Sequence, residues 1–208
     1  MKQLLRFLLI TVCATSVFAL NVEDEIENLK QMDRVAESKK AINKAKAEIQ
    51  SAQHQLTYRE EQERRDKILF DKEAKSEHEY RESILETAEA RFELHNRKVA
   101  LVWLETTNEI SRLKASWAAG EAKDIKALRK QYDLRTNNRC SEARNTYNLD
   151  NSRMEFASYH YNTMKKLFEK EAVTEMDYLE ANKFLQQANV GVKKSAKQVS
   201  EFCAGIEG

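Results

Sequence analysis

Along most of this chain, apolar residues return at every seventh position between stretches of mixed charge. Val35, Ile42, Ile49 and Leu56 step in this way, with Ala45 and Ala52 interleaved, and Tyr80, Thr87, Leu94 and Leu101 form a second run. A third run is Cys140, Tyr147, Met154, Tyr161 and Phe168. The fourth is Tyr178, Leu185, Val192 and Val199, with Ala181 and Ala188 between. A seven-residue step keeps one narrow seam of an α-helix turned toward a single partner helix, and alanines in that seam let the partner come close. A helix of a globular bundle carries a broader apolar stripe. The pattern predicts an all-α chain of long helices paired through thin seams.

Between the first and second runs, and again between the third and fourth, stand two similar segments. KILFDKEAKSEHEYRE (67–82) and KKLFEKEAVTEMDYLE (165–180) lie 98 residues apart, with nine of sixteen positions identical. Three more positions are conservative: Asp71 with Glu169, Ser76 with Thr174 and Glu79 with Asp177. This is the mark of a duplicated unit. The segments are read as the bends of two tandem, antiparallel coiled-coil hairpins, near 73–76 and 171–174. Gly120 is suited to end one helix and Asp124 to cap the next, which places the unit boundary there, with 20–119 as the first hairpin and 120–208 as the second. The expected path is up-down-up-down and elongated, with both bends at one end. A helix from Val22 to Glu73 alone is about 75 Å long. Trp103, Leu104, Phe156 and Tyr159 are expected to knit the hairpins together near their base.

Composition agrees with helices: there is no proline, and of four glycines only Gly191 lies inside a periodic segment. The first residues carry Lys2 and Arg6, the apolar run LLITV, and small residues ending at Ala19. This is the organisation of a cleaved secretory signal, residues 1–19, and it implies export to the periplasm. The alternative is an uncleaved signal anchoring the chain in the inner membrane, for which the apolar stretch is short against the roughly twenty residues a spanning helix needs. Loss of the signal leaves 33 basic and 34 acidic residues, so no electrostatic case for nucleic acid survives.

Cys13 departs with the signal, leaving Cys140 and Cys203 in a compartment that permits a disulfide. If the second hairpin turns near Val173, these two positions lie nearly opposite each other. A staple at its base follows; the alternative is two unpaired cysteines.

The bend LFEKEAVTEMDYLEA (167–181) resembles the hairpin tip of periplasmic adaptor proteins, the membrane fusion proteins of tripartite efflux pumps and type I secretion systems. In the first unit Arg65, Leu69 and Ser76 have the spacing R-x3-L-x6-S, similar to the signature by which adaptor tips engage a TolC-like outer-membrane channel. The second copy has Thr163, Leu167 and Thr174 at these positions, keeping the leucine and a hydroxyl but not the arginine. The resemblance implies that Arg65, Leu69, Ser76, Leu167 and Thr174 contact such a channel, the first bend doing most of the docking. Glu73 and Glu171 stand where the family has a bend glycine, so the turn is expected to use a backbone conformation that a side chain tolerates. The likeness covers the hairpin alone; no segment resembles the lipoyl-like or β-barrel domains of an adaptor. Taken by themselves, Ser76 and Thr174 suit the cap of a descending helix.

No catalytic chemistry is expected. His54, His78, His95 and His160 are scattered with no second histidine four residues on, and there is no glycine-rich phosphate loop, nucleophile elbow or HExxH. Neither a metal, a cofactor nor a small-molecule substrate is implied. Competing readings are a periplasmic holdase chaperone and a passive coiled-coil scaffold, and homo-oligomerisation is open.

Overall fold

Proline-free stretches rich in Ala, Leu, Glu, Lys and Gln favour helix at almost every position, and the chain is helical nearly throughout. The computed structural model describes the backbone of residues 2–206 and the side chains of residues 37–206, Ala122 excepted in both. Four helices and no strand occur among the described residues: α1 (Lys2–Asp71), α2 (Glu77–Ala118), α3 (Ile125–Phe168) and α4 (Glu175–Phe202). Two compact units divide the chain, Met1–Asn43 and Lys44–Gly208. Residues 2–43 of the first are helical backbone belonging to α1. The expected signal segment, residues 1–19, and the seam residue Val35 lie outside the described side chains. Among the described residues no helix is long and apolar enough to cross a membrane.

Within Lys44–Gly208, α1 and α2 meet residue by residue in opposite order. Ala52, Leu56 and Leu94 form a buried cluster, with Ile49 and Ala90 packed against it. Arg97 pairs with Glu48 at 2.6 Å, Arg91 with Glu60 at 3.0 Å and Arg59 with Glu86 at 2.6 Å, so the numbers fall on α2 as they rise on α1. Thr87, almost fully buried, donates to Ser83 O in its own helix and to Arg59 O across the seam.

α3 and α4 come together through small residues. Ala157, Ala181 and Ser195 are the most deeply buried of their seam, along with Cys140 and Ala143, while the larger Tyr147, Met154 and Tyr161 are half-buried beside them. Gly191 lies against the Asp150 carboxylate, which a Cβ there would meet at 3.5 Å. Cys140 and Cys203 form a disulfide with their Cα atoms 4.8 Å apart. At the other end, the hydroxyls of Tyr161 and Tyr178 are 3.1 Å apart.

The turn after α2 uses Gly120 at φ 85°, in the left-handed region that glycine enters without a steric cost. Asp124 then accepts the amide of Ala127 at 2.8 Å and caps α3.

Contacts between α2 and α3 run along both helices, rather than only near a base, and many of them are polar. Asn138 and Asn145 donate from α3 to the backbone carbonyls of Val99 and Phe92. His95 meets Ser141 at 3.0 Å, Arg153 meets Glu89 at 2.9 Å, and Arg135 and Arg139 lie over the Trp103 ring. Phe156 and Tyr159 belong to the opposite end from the one expected: both lie against His78, two residues into α2. Leu104 is an exposed side chain. Aromatic size alone does not carry the level at which a residue sits, which depends on how the two helices are offset.

That offset also staggers the bends. Facing pairs such as Asn138 with Val99 and His78 with Tyr159 put Ser76 level with about residue 162 on α3, roughly 10 Å short of the end of that helix at 1.5 Å per residue. The second bend therefore stands ahead of the first.

Candidate functional site: the two bends

Each bend is built from the same three devices. The first is the way the incoming helix stops. The amide of Ala74 donates to Leu69 O at 2.8 Å and that of Glu73 to Phe70 O at 2.9 Å, while Ala172 and Glu171 repeat this with Leu167 O and Phe168 O, both at 2.9 Å. These nested bonds close a Schellman motif, which satisfies carbonyls at the helix end and needs a left-handed residue just past it. Glu73 and Glu171 supply it, at φ 56° and 58°, and no other non-glycine residue among those described has positive φ. The conformation that the side chain tolerates here is the left-handed one. The bends keep the glycine-type geometry with glutamate in it, at a cost of about 1 kcal/mol each.

The second device starts the outgoing helix. Ser76 accepts the amide of Glu79 at 3.3 Å, and the Glu79 carboxylate accepts from the Ser76 amide at 3.0 Å and hydroxyl at 2.7 Å. Thr174 and Asp177 form the same reciprocal capping box. The hydroxyl and then the backbone amide of Ser76 hold the Glu79 carboxyl below its ordinary pKa, and Thr174 does the same to Asp177. The third device is a ring stack that crosses the bend: Phe70 with Tyr80 and Phe168 with Tyr178, each at 5.2 Å between centroids.

Most of what the two segments share is therefore turn chemistry. The hydroxyls of Ser76 and Thr174 are engaged as caps, and Leu69 and Leu167 are the residues whose carbonyls close the Schellman loop. The side chains differ in access: Leu69 is 42 % exposed, whereas Leu167 is half-buried. Arg65 keeps 71 % of its side chain in solvent and pairs with Glu61 of its own helix at 3.4 Å. Arg65 and Leu69 are thus displayed, and Ser76 works behind them.

One pair at the first bend escaped the sequence reading. Asp66, buried on α1, bonds Lys75 at 2.6 Å, with 9 % and 20 % of the two side chains exposed. The second carboxylate oxygen of Asp66 is buried without a partner. At the corresponding positions of the other copy stand Met164 and Val173, both half-buried. Aligning the repeats carries this signal, because both members of the pair change together from charged to apolar.

Elsewhere, His78 and His160 lie 5.6 Å apart between α2 and α3, beside Phe156. Burial, followed by the neighbouring His78, pushes His160 below its ordinary pKa. Among the described residues no group of three or more His, Cys, Asp or Glu is placed to hold a metal ion. An open groove of about 670 Å³ between α3 and α4 collects Arg139, Glu142, Asp150 and Lys194, a balanced set of charges. No protein-family description, curated protein or solved structure matches the chain.

Proposed function

We propose that this chain is a non-enzymatic interaction protein of the bacterial envelope. In this reading, export removes residues 1–19, and two tandem antiparallel coiled-coil hairpins, 20–119 and 120–208, present their bends to a TolC-like outer-membrane channel in efflux or secretion. The observation that carries it is the repetition of one turn. Schellman loop, capping box and ring stack recur in both bends, so each tip is held in a single shape without help from a partner. Preorganised backbone of this kind lowers the ordering cost of binding. The exposed Arg65 and Leu69 of the first bend then supply a charged fork and an apolar knob, in the spacing that resembles an adaptor tip.

The decisive experiment places a photo-crosslinking residue at position 69, and separately at 167, and recovers adducts from envelope extract. An outer-membrane channel protein is expected at position 69, with its yield collapsing in R65A/L69S while helicity by circular dichroism is unchanged. Ser76 is left intact in this variant because its loss would weaken the cap. Undiminished adducts in R65A/L69S, or adducts only with unfolded outer-membrane clients, would overturn the docking reading. The latter result would favour a chaperone.

A further inference from the structure

Within Lys44–Gly208, the end opposite the bends has a different chemistry. α4 stops at Phe202, where Cys203 is bonded to Cys140, so α4 does not cover the flank of α3 from Ile125 to Arg139, about 22 Å of helix that is largely exposed among the described residues. The seam positions Cys140 and Ala143 continue back along α3, by steps of seven, to Asp133 and Thr136 and then to Lys126 and Arg129. A surface built to receive another helix would be apolar there; this one is cationic. Ile125, 67 % exposed, and Tyr132, 47 % exposed, stand among these charges.

From Arg112 to Arg135, seven lysines and arginines face three acidic residues, and one of the three, Asp124, is engaged as the α3 cap. Lys114, Lys123, Lys126, Arg129 and Lys130 are exposed, and among the described residues none of them pairs with a carboxylate within 4.0 Å. The bends have the opposite sign: nine acidic residues against six basic over 60–82, and five against three over 165–180.

We infer that the α2–α3 turn and the uncovered first four turns of α3 form a docking surface for an anionic phospholipid bilayer. Lysine and arginine attract anionic headgroups, and a nearby isoleucine and tyrosine enter the boundary between headgroups and acyl chains. Exposed aliphatic and phenolic side chains among unpaired cations are the composition of an interfacial helix, and they separate this surface from a purely electrostatic one. The acidic bends are repelled by the same surface, so the charge distribution also orients the molecule, base toward the lipid and bends away. This site is independent of the bends and of whatever they bind.

The test is co-sedimentation of the full chain with vesicles of phosphatidylcholine alone or mixed with phosphatidylglycerol. Because the N-terminal apolar run can itself bind lipid, the informative quantity is the gain in binding caused by phosphatidylglycerol. K126S/R129S/K130S is expected to lose that gain, weakening binding to the anionic vesicles roughly ten- to hundredfold. I125S should lower binding to them to a smaller degree, while K193S/K194S/K197S on α4 retains most of it. Circular dichroism establishes that each variant is folded. Equal losses in the two triple variants, or an unchanged gain in K126S/R129S/K130S, would overturn the assignment. So would binding to polyglutamate or an oligonucleotide without binding to vesicles, which would identify a different anionic occupant.

Discussion

The two bends share a backbone and differ in what lies beneath it. Under the first, Asp66 and Lys75 make a largely buried ion pair, and about two turns further down Arg59 meets Glu86. Under the second, the same positions hold Met164 and Val173, then Ala157 and Phe184, and Tyr161 bonds Tyr178 where the first bend has Glu63 and Tyr80. A turn of this kind is therefore indifferent to whether its floor is ionic or apolar. It is specified locally, by hydrogen bonds within about ten residues, while the floor beneath it is free to diverge. The ionic floor is the more demanding of the two, because a buried pair is costly to break yet seldom better than a well-packed apolar one. The second pair of helices instead relies on a covalent tie at its far end, which the first lacks.

The largest expected effect comes from cutting that tie. The Cys140 to Cys203 bond spans 63 residues of sequence, and C140S/C203S should lower the unfolding free energy of α3 and α4 by about 4 kcal/mol in the chain-entropy description. Urea unfolding followed by hydrogen exchange should show the loss in α4 with α1 and α2 amides little changed; equal loss in both helix pairs would mean that they unfold as one unit. Next in size is the floor of the first bend. D66A or K75A should each cost about 2 to 3 kcal/mol by stranding the other charge, whereas D66M/K75V, which copies the second bend, should return to within about 1 kcal/mol of the starting stability. A double variant no better than the singles would mean that the two floors are not interchangeable.

Smaller still are the turns themselves. S76A and T174A should each cost about 1 kcal/mol, and E73G and E171G should each gain about 0.5 to 1 kcal/mol by relieving the left-handed glutamates. The prediction is equality between bends, read from urea midpoints; a clear inequality would show that the floor strains one turn and not the other.

The smallest effect is expected between the helix pairs, where His95 and His160 keep some solvent contact. Burial, then Lys98, lowers the pKa of His95, and burial, then His78, lowers that of His160. The unfolded chain therefore binds protons more readily than the folded one. The stabilising contribution is complete above the ordinary histidine value of 6.5 and is lost as pH falls through it toward the lowered folded values. H95Q/H160Q should flatten the fall in stability across this window; a variant with an unaltered slope would place the titrating groups elsewhere.

Seven-residue spacing and the absence of proline make the helices legible in the sequence alone, and the duplicated segment marks both bends, because helix starts and stops are encoded within a few residues. Ser76 with Glu79 and Thr174 with Asp177 read as caps for that reason. The glutamates in the left-handed region were not legible, since nothing in a single side chain announces that its backbone accepts a steric cost so that two carbonyls are satisfied. The level of Phe156 and Tyr159, against His78 rather than near a base, and the stagger of the bends were likewise hidden. Both depend on the register between α2 and α3, which is set by polar contacts between residues distant in sequence, such as Asn138 with Val99 and Arg153 with Glu89.

The sequence by itself determined that this protein is helical, where the two bends interrupt the helices, and that one turn is used twice, because those properties arise from neighbours along the chain. Only the tertiary structure decided which charges are buried together and which end of α3 is left uncovered. Asp66 and Lys75 become a pair, and Lys126 and Arg129 stay unpaired, according to which helix lies alongside them, and that is a property of packing across the chain.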